Sequence, residues 1–142
     1  MAETGTRHVV ARVDEIPPGT RRIVEIAGRS IGVFNVDGHF HALRNRCPHQ
    51  GGPLCEGFVF AALHSSGPGD YDHRPGEAFV RCPWHGWEFD IATGQSWFDP
   101  QRTRVRSYRV TVEPGERVRG PYVAERYDVT VEDRCVVVDL GR

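Results

Sequence analysis

Apolar and polar positions alternate along this chain in short runs, and each run ends at a Gly, Pro or Asp turn signal. His8 to Val13 reads as a first strand, closed off by Pro17-Pro18-Gly19. Arg21 to Ala27 and Ser30 to Val36 are rich in Ile and Val, as strands are. Asp37-Gly38 is a two-residue hairpin signal, and Phe40 to Arg44 runs back from it. Further on, Phe58 to Leu63 and Gly76 to Arg81 read as strands. Ser65 to Pro75, dense in Gly, Pro, Ser and Asp, reads as a loop between them. Asp90 to Gly94 makes another turn, and Val105 to Glu113 alternates up to Pro114-Gly115. Tyr122 to Val131 and Cys135 to Leu140 are expected to close a final hairpin through Glu132-Asp133-Arg134. No amphipathic helix of more than two turns is evident. Short strands divided by turns predict an all-β fold.

Two segments break this pattern, and they carry the chemistry. Cys47-Pro48-His49 and Cys82-Pro83-Trp84-His85 each offer one thiolate and one imidazole on a tight loop. Thiolates suit iron bridged by sulfide, and neutral imidazoles lower the negative charge of such a centre, which eases its reduction. A structural zinc site can use the same donor set. Zinc ligands, however, usually come as Cys-x-x-Cys and His-x₃₋₅-His pairs, whereas each pair here mixes the two donors.

The first loop, continuing Gln50-Gly51-Gly52-Pro53-Leu54, and the second, continuing Gly86-Trp87-Glu88-Phe89-Asp90 and then Thr93-Gly94, resemble the Rieske family. The resemblance implies one Rieske [2Fe–2S] cluster per chain. Cys47 and Cys82 would hold the inner iron, and His49 and His85 the outer, more exposed one. It also implies a single domain: an antiparallel β-base, sandwich- or barrel-like, from residues 1–45 and 97–142. A smaller cluster-binding subdomain, 46–96, is inserted in that base. Gly51, Gly52 and Gly86 would allow close backbone approach to sulfur, while Pro48 and Pro83 would stiffen the loops. Leu54, Trp84, Trp87 and Phe89 would form an apolar collar. Trp97-Phe98-Asp99-Pro100 would supply a third, proline-bearing covering loop. The respiratory branch ties its loops with a disulfide at positions that here are Gly52 and Trp84, and has a hydrogen-bonding Ser where this chain has Trp87. With those features missing, the expected potential lies toward the low end of the Rieske range. It should fall with pH once the iron-bound imidazoles lose protons. The gap between the loops is longer than in compact members of the family. Residues 56–78 are expected to form an extended hairpin arm with a solvated tip, or else a partner-docking element.

Composition removes several alternatives. At 142 residues with net charge −1, the chain suits one core and shows no bias toward nucleic acid or an anionic membrane. It has no apolar run long enough to span a bilayer and no leader pattern at its start, so a cytoplasmic location is expected. Cys55 and Cys135 are expected to be small buried apolar residues rather than spare ligands or a disulfide. His39 and His41 share a strand face and read as surface residues. His64, His73, Asp70, Asp72 and Glu77 read as solvated loop residues. No His follows residue 100, so a downstream mononuclear iron site of two His and a carboxylate is excluded. No Gly-rich nucleotide fingerprint occurs either. The expected role is therefore a one-electron carrier without a substrate site of its own. It would shuttle transiently between a flavin-dependent reductase and an oxygenase terminal component. The alternatives are a small Rieske subunit of a larger oxidoreductase, as in nitrite reductase or a split oxygenase, and a zinc-stabilised interaction module.

Overall fold

The structure is a computed structural model that describes residues 7–48, 51–67, 70–84, 86–96, 103–114 and 134–141, with side chains described outside 61–77. Nine strands occur in these segments: β1 (Arg7–Arg12), β2 (Arg21–Ile26), β3 (Arg29–Val36), β4 (His39–Arg44), β5 (Phe58–Gly67), β6 (Asp70–Arg81), β7 (Glu88–Asp90), β8 (Ser107–Pro114) and β9 (Arg134–Asp139). Single 3₁₀ turns at Val13–Glu15 and Leu54–Glu56 are the only helical pieces among the described residues. All pairings are antiparallel. A six-stranded sheet runs β1-β9-β8-β4-β3-β2, and a three-stranded sheet runs β5-β6-β7. The all-β reading holds.

The β3–β4 pair explains how the two sheets are joined. Ile31 and Val33 of β3, with Ala42 of β4, belong to the core of the large sheet, alongside Ile16, Ile26, Val136 and Val138. Phe34 and Leu43 point to the opposite face and join a second core with Leu54, Val80, Phe89 and Ile91. The strand pair is therefore a wall with an apolar core on each side. Hence β3 is buried continuously from Ile31 to Asn35 rather than at every second residue. Hairpin turns set its register. Asp37 and Gly38 both have positive φ, 52° and 91°, as a two-residue turn matched to strand twist requires. The Asn35 side chain anchors this end, accepting from Gly38 N at 2.8 Å and donating to Ile16 O at 2.7 Å.

Two expectations are corrected. The segment 65–75 is strand, not loop, apart from residues 68–69, which lie outside the described residues. Its turn-rich composition is absorbed by irregular pairing: Ala61 faces Ala78 but Leu63 faces His73, so Arg74 to Glu77 bulge opposite one residue of β5. Pro75, which has no N–H for a ladder, falls in that bulge. The partners observed for the last strand also differ from the expected one. β9 lies between β1 and β8, with both of its edges paired from Cys135 to Asp139. Tyr122 to Val131 lies outside the described residues. The reason is burial: Val136 and Val138 enter the main core, while Cys135 and Val137 pack with Val9 on the other face. A strand apolar on both faces favours a central place in the sheet.

Candidate metal centre

The chain enters the first loop directly from β4, and Asn45 clamps the loop's two ends. Its backbone N–H donates to Ser30 O at 2.8 Å and its side-chain amide to Ser30 Oγ at 3.1 Å, while its Oδ1 accepts the N–H of Cys55 at 2.8 Å. One residue thus ties the end of β4, the start of β3 and the exit of the loop together. Cys47 follows, 1% exposed.

The two loops close with the same backbone bonds. In the first, Cys47 N donates to Gly52 O at 2.8 Å and Gly51 N donates to Cys47 O at 2.7 Å. In the second, Cys82 N donates to Trp87 O at 2.8 Å and Gly86 N donates to Cys82 O at 2.9 Å. In each case the glycine four residues after the cysteine takes positive φ, 81° at Gly51 and 75° at Gly86, where a side chain would add strain. The turn after β7 repeats the pattern with no cysteine: Asp90 N to Gln95 O, Gly94 N to Asp90 O, and Gly94 at φ 80°. The cysteine loops are therefore a common six-residue turn in which the first residue is a thiol.

Strand pairing brings the loops together. β6 pairs with β7 from Phe79↔Asp90 to Arg81↔Glu88, which places the second loop at the hairpin's end. Cys82, 1% exposed, shares one apolar cluster with Cys47, Leu54, Phe89 and Val105. A Cβ on Gly52 would lie 3.2 Å from Cys82 Sγ and 2.8 Å from Trp84 Cδ2. The thiol of the second loop thus sits against the backbone of the first, in a space that only glycine leaves open. The collar is partly as expected. Leu54 is fully buried, and Trp87 packs against the same cluster. Phe89, also fully buried, belongs to the core beneath the loops, and Trp84 is 56% exposed, lying over Gly52 rather than sealing the site.

His49 and His85 lie outside the described residues, as do Gln50 and the segment 97–102 that holds the expected third loop. The structure therefore places two of the four expected ligands. Those two fit an iron–sulfur group: soft donors from loops far apart in sequence, both buried in one apolar cluster, with backbone close enough to crowd a sulfur.

Cys55 is fully buried, with its Sγ near the carbonyl oxygens of Leu43 at 3.5 Å and Arg44 at 3.7 Å. Burial pushes its thiol up to about 12. It wedges the first loop's exit against β3, where Gly32 leaves room for it. Cys135 is buried in a separate cluster. Both match the expected packing role. His39 is exposed, whereas His41 is partly buried. Burial, then the neighbouring His39, lowers the His41 pKa, and Asp90 opposes them. Asn45 and the positive-φ role of Gly51 and Gly86 went unread in the sequence; the Gly at Cys+4 in both loops was the available signal.

Residues 6–109 match the Rieske [2Fe-2S] domain family. The chain belongs to that family. Rieske domains carry a [2Fe–2S] cluster, and in this chain Cys47 and Cys82 are buried in one apolar cluster of side chains. Among relatives of this Rieske chain, the 3-phenylpropionate/cinnamic acid dioxygenase ferredoxin subunit of Photorhabdus laumondii is 30% identical over 75% of this chain and 86% of its own length. Apoptosis-inducing factor 3 of Homo sapiens is 31% identical over 73% of this chain, but the match spans only 14% of that larger protein. The match to a human Rieske domain-containing protein covers 49% of its length. By fold, the chain is similar to the ferredoxin of carbazole 1,9a-dioxygenase from Nocardioides aromaticivorans, with TM-score 0.56, 22% identity, and 92% and 96% of the two chains covered. A structure of the reduced oxygenase with oxidised ferredoxin in carbazole 1,9a-dioxygenase gives TM-score 0.59 at 21% identity, covering 96% of this chain. Among the described residues no helix is long and apolar enough to cross a membrane.

Proposed function

We propose that this Rieske protein is a one-electron carrier that takes an electron from a flavin-dependent reductase and passes it to an oxygenase terminal component in the cytoplasm. One observation carries the reading. Two cysteines from separate loops, each set by the same turn, are buried in a single apolar cluster where Cys82 Sγ meets the backbone of the first loop. In this reading residues 46–96 are the cluster-bearing part of one domain. Cys47 and Cys82 hold the inner iron and His49 and His85 the outer one. The cluster supplies reversible one-electron chemistry. The chain's own contribution is to bind the cluster, to exclude water with Leu54 and Trp87, and to fix both cysteines by backbone bonds, so that little rearranges on electron transfer. The ferredoxin components among its relatives support this role, as do ferredoxin–oxygenase complexes among structures of the same fold.

The test is direct. The purified protein should contain two irons and two acid-labile sulfides per chain, and after dithionite reduction it should give the low-average-g paramagnetic spectrum of mixed nitrogen–sulfur ligation. Cys47→Ser or Cys82→Ser should abolish both. Zinc without sulfide, or an unaltered visible spectrum in either variant, would exclude the reading. The match to a small part of apoptosis-inducing factor 3 favours a second arrangement, in which the domain works as a fixed module of a larger oxidoreductase. Stoichiometric co-purification with a partner enzyme would select it.

A further inference from the structure

Resting on the electron-carrier reading, the geometry points to Arg46 as the residue that sets the charge balance of the cluster and raises its reduction potential. Arg46 directly precedes Cys47 and is exposed, yet its guanidinium folds back over the loop it opens. A Cβ on Gly51 would lie 3.5 Å from both Arg46 Cζ and Nη2. The other described residues of 47–54 and 82–87 are uncharged. Of the acids that follow, Glu56 is exposed to solvent, and the two after the second loop are engaged. Glu88 pairs with Arg81 at 2.9 Å, and Asp90 Oδ1 accepts the N–H of Ala92 at 2.8 Å. Among the described residues no carboxylate pairs with Arg46. A full positive charge thus stands against the first cysteine loop, whose other described residues are uncharged.

The consequence follows from Coulomb's law. A cluster with two thiolate and two neutral imidazole ligands is neutral when oxidised and carries one negative charge after taking up one electron. A fixed cation beside it stabilises the reduced form and leaves the oxidised form unaffected. Removing that charge should shift the reduced-to-oxidised ratio at fixed potential by roughly threefold to tenfold, as one unit charge does at loop-scale separation in a solvent-rich medium. For a one-electron couple this is about 28–59 mV. Because Arg46 is exposed, salt should attenuate the shift.

The experiment is a redox titration followed by visible absorption, on the intact protein and on Arg46→Gln, Arg46→Met, Arg46→Lys and Arg46→Glu, at low and high ionic strength. The neutral variants should have lower midpoints, Arg46→Glu about twice the displacement, and Arg46→Lys most of the original value. The displacements should shrink in high salt, while melting temperature and the paramagnetic spectrum stay unchanged. If one neutral variant fails to load a cluster, the other and the Lys/Glu pair still decide the sign. A midpoint that does not move with the charge at residue 46, in proteins whose spectrum is of the mixed-ligand type, would overturn this inference and leave the carrier reading standing. A spectrum of any other type would overturn the carrier reading itself.

Discussion

Replacing Gly32 with alanine should unseat the first ligand loop from the β-wall that supports it. Gly32 lies mid-strand in β3, paired with Ile23 on one side and Leu43 on the other, so its backbone is held from both edges. An added Cβ would fall 2.5 Å from Cys55 Cβ, 2.6 Å from Cys55 Sγ and 3.2 Å from Phe34 Cε1. Carbon atoms in contact want about 3.5–4.0 Å, so a displacement on the order of 1 Å is needed. Cys55 cannot yield easily, because it is fully buried and its N–H is bonded to Asn45 Oδ1. The cost should sit at the upper end of the overpacking range, about 3 kcal/mol, offset by under about 1 kcal/mol from replacing a strand glycine. A net loss of about 2 kcal/mol should lower the melting temperature by roughly 6–10 °C. The displaced 3₁₀ turn Leu54–Glu56 continues the cysteine loop, so iron occupancy should fall as well. Thermal unfolding followed by circular dichroism, with iron and sulfide analysis, reads both effects. The companion variant is Cys55→Gly, alone and combined with Gly32→Ala. Removing the obstructing atoms should make the double variant more stable than the sum of the two single losses predicts, by at least about 1 kcal/mol. Simple additivity, or a Gly32→Ala protein as stable as the parent, would refute the argument that this pair fastens the loop to the wall.

Other outcomes follow from the same structure. Asn45→Ala removes the acceptor for Cys55 N–H and should cost about 1–3 kcal/mol in chemical denaturation, with weaker cluster retention under chelator challenge. Gly52→Ala should push the indole of Trp84 outward and crowd Cys82 Sγ. The stability loss should be modest, about 1 kcal/mol, because Trp84 is half-exposed and can move, but the change in visible absorption should be clear. Ala27, at φ 53° in the turn before β3, should be improved by Gly or Asn, with a gain of about 0.5–1 kcal/mol in melting experiments. His41 has a folded pKa below its ordinary 6.5, so the unfolded chain binds the proton more readily, and stability should be lost as pH falls from that value toward the folded pKa. His41→Asn should flatten this part of the stability–pH curve.

Local sequence was enough for the strand-and-turn character, the β2–β3–β4 meander and the two Gly- and Pro-rich cysteine loops. These features are local: alternation, a hairpin signal at Asp37-Gly38, and soft donors on Gly- and Pro-rich loops. Tertiary structure decided what depends on pairing between distant segments. Residues 65–67 and 70–75 have loop composition but form strand, because the ladder between β5 and β6 satisfies their backbone and a bulge takes in Pro75. β9 has β1, from the far end of the chain, on one edge and β8 on the other, because it is apolar on both faces and needs cover on both. Gly32, Asn45 and Cys55 carry no chemical motif. They became legible as the fastening of the ligand loop only once β3, β4 and the loop exit were seen in contact, since complementarity of shape is a property of the folded pair and not of either residue.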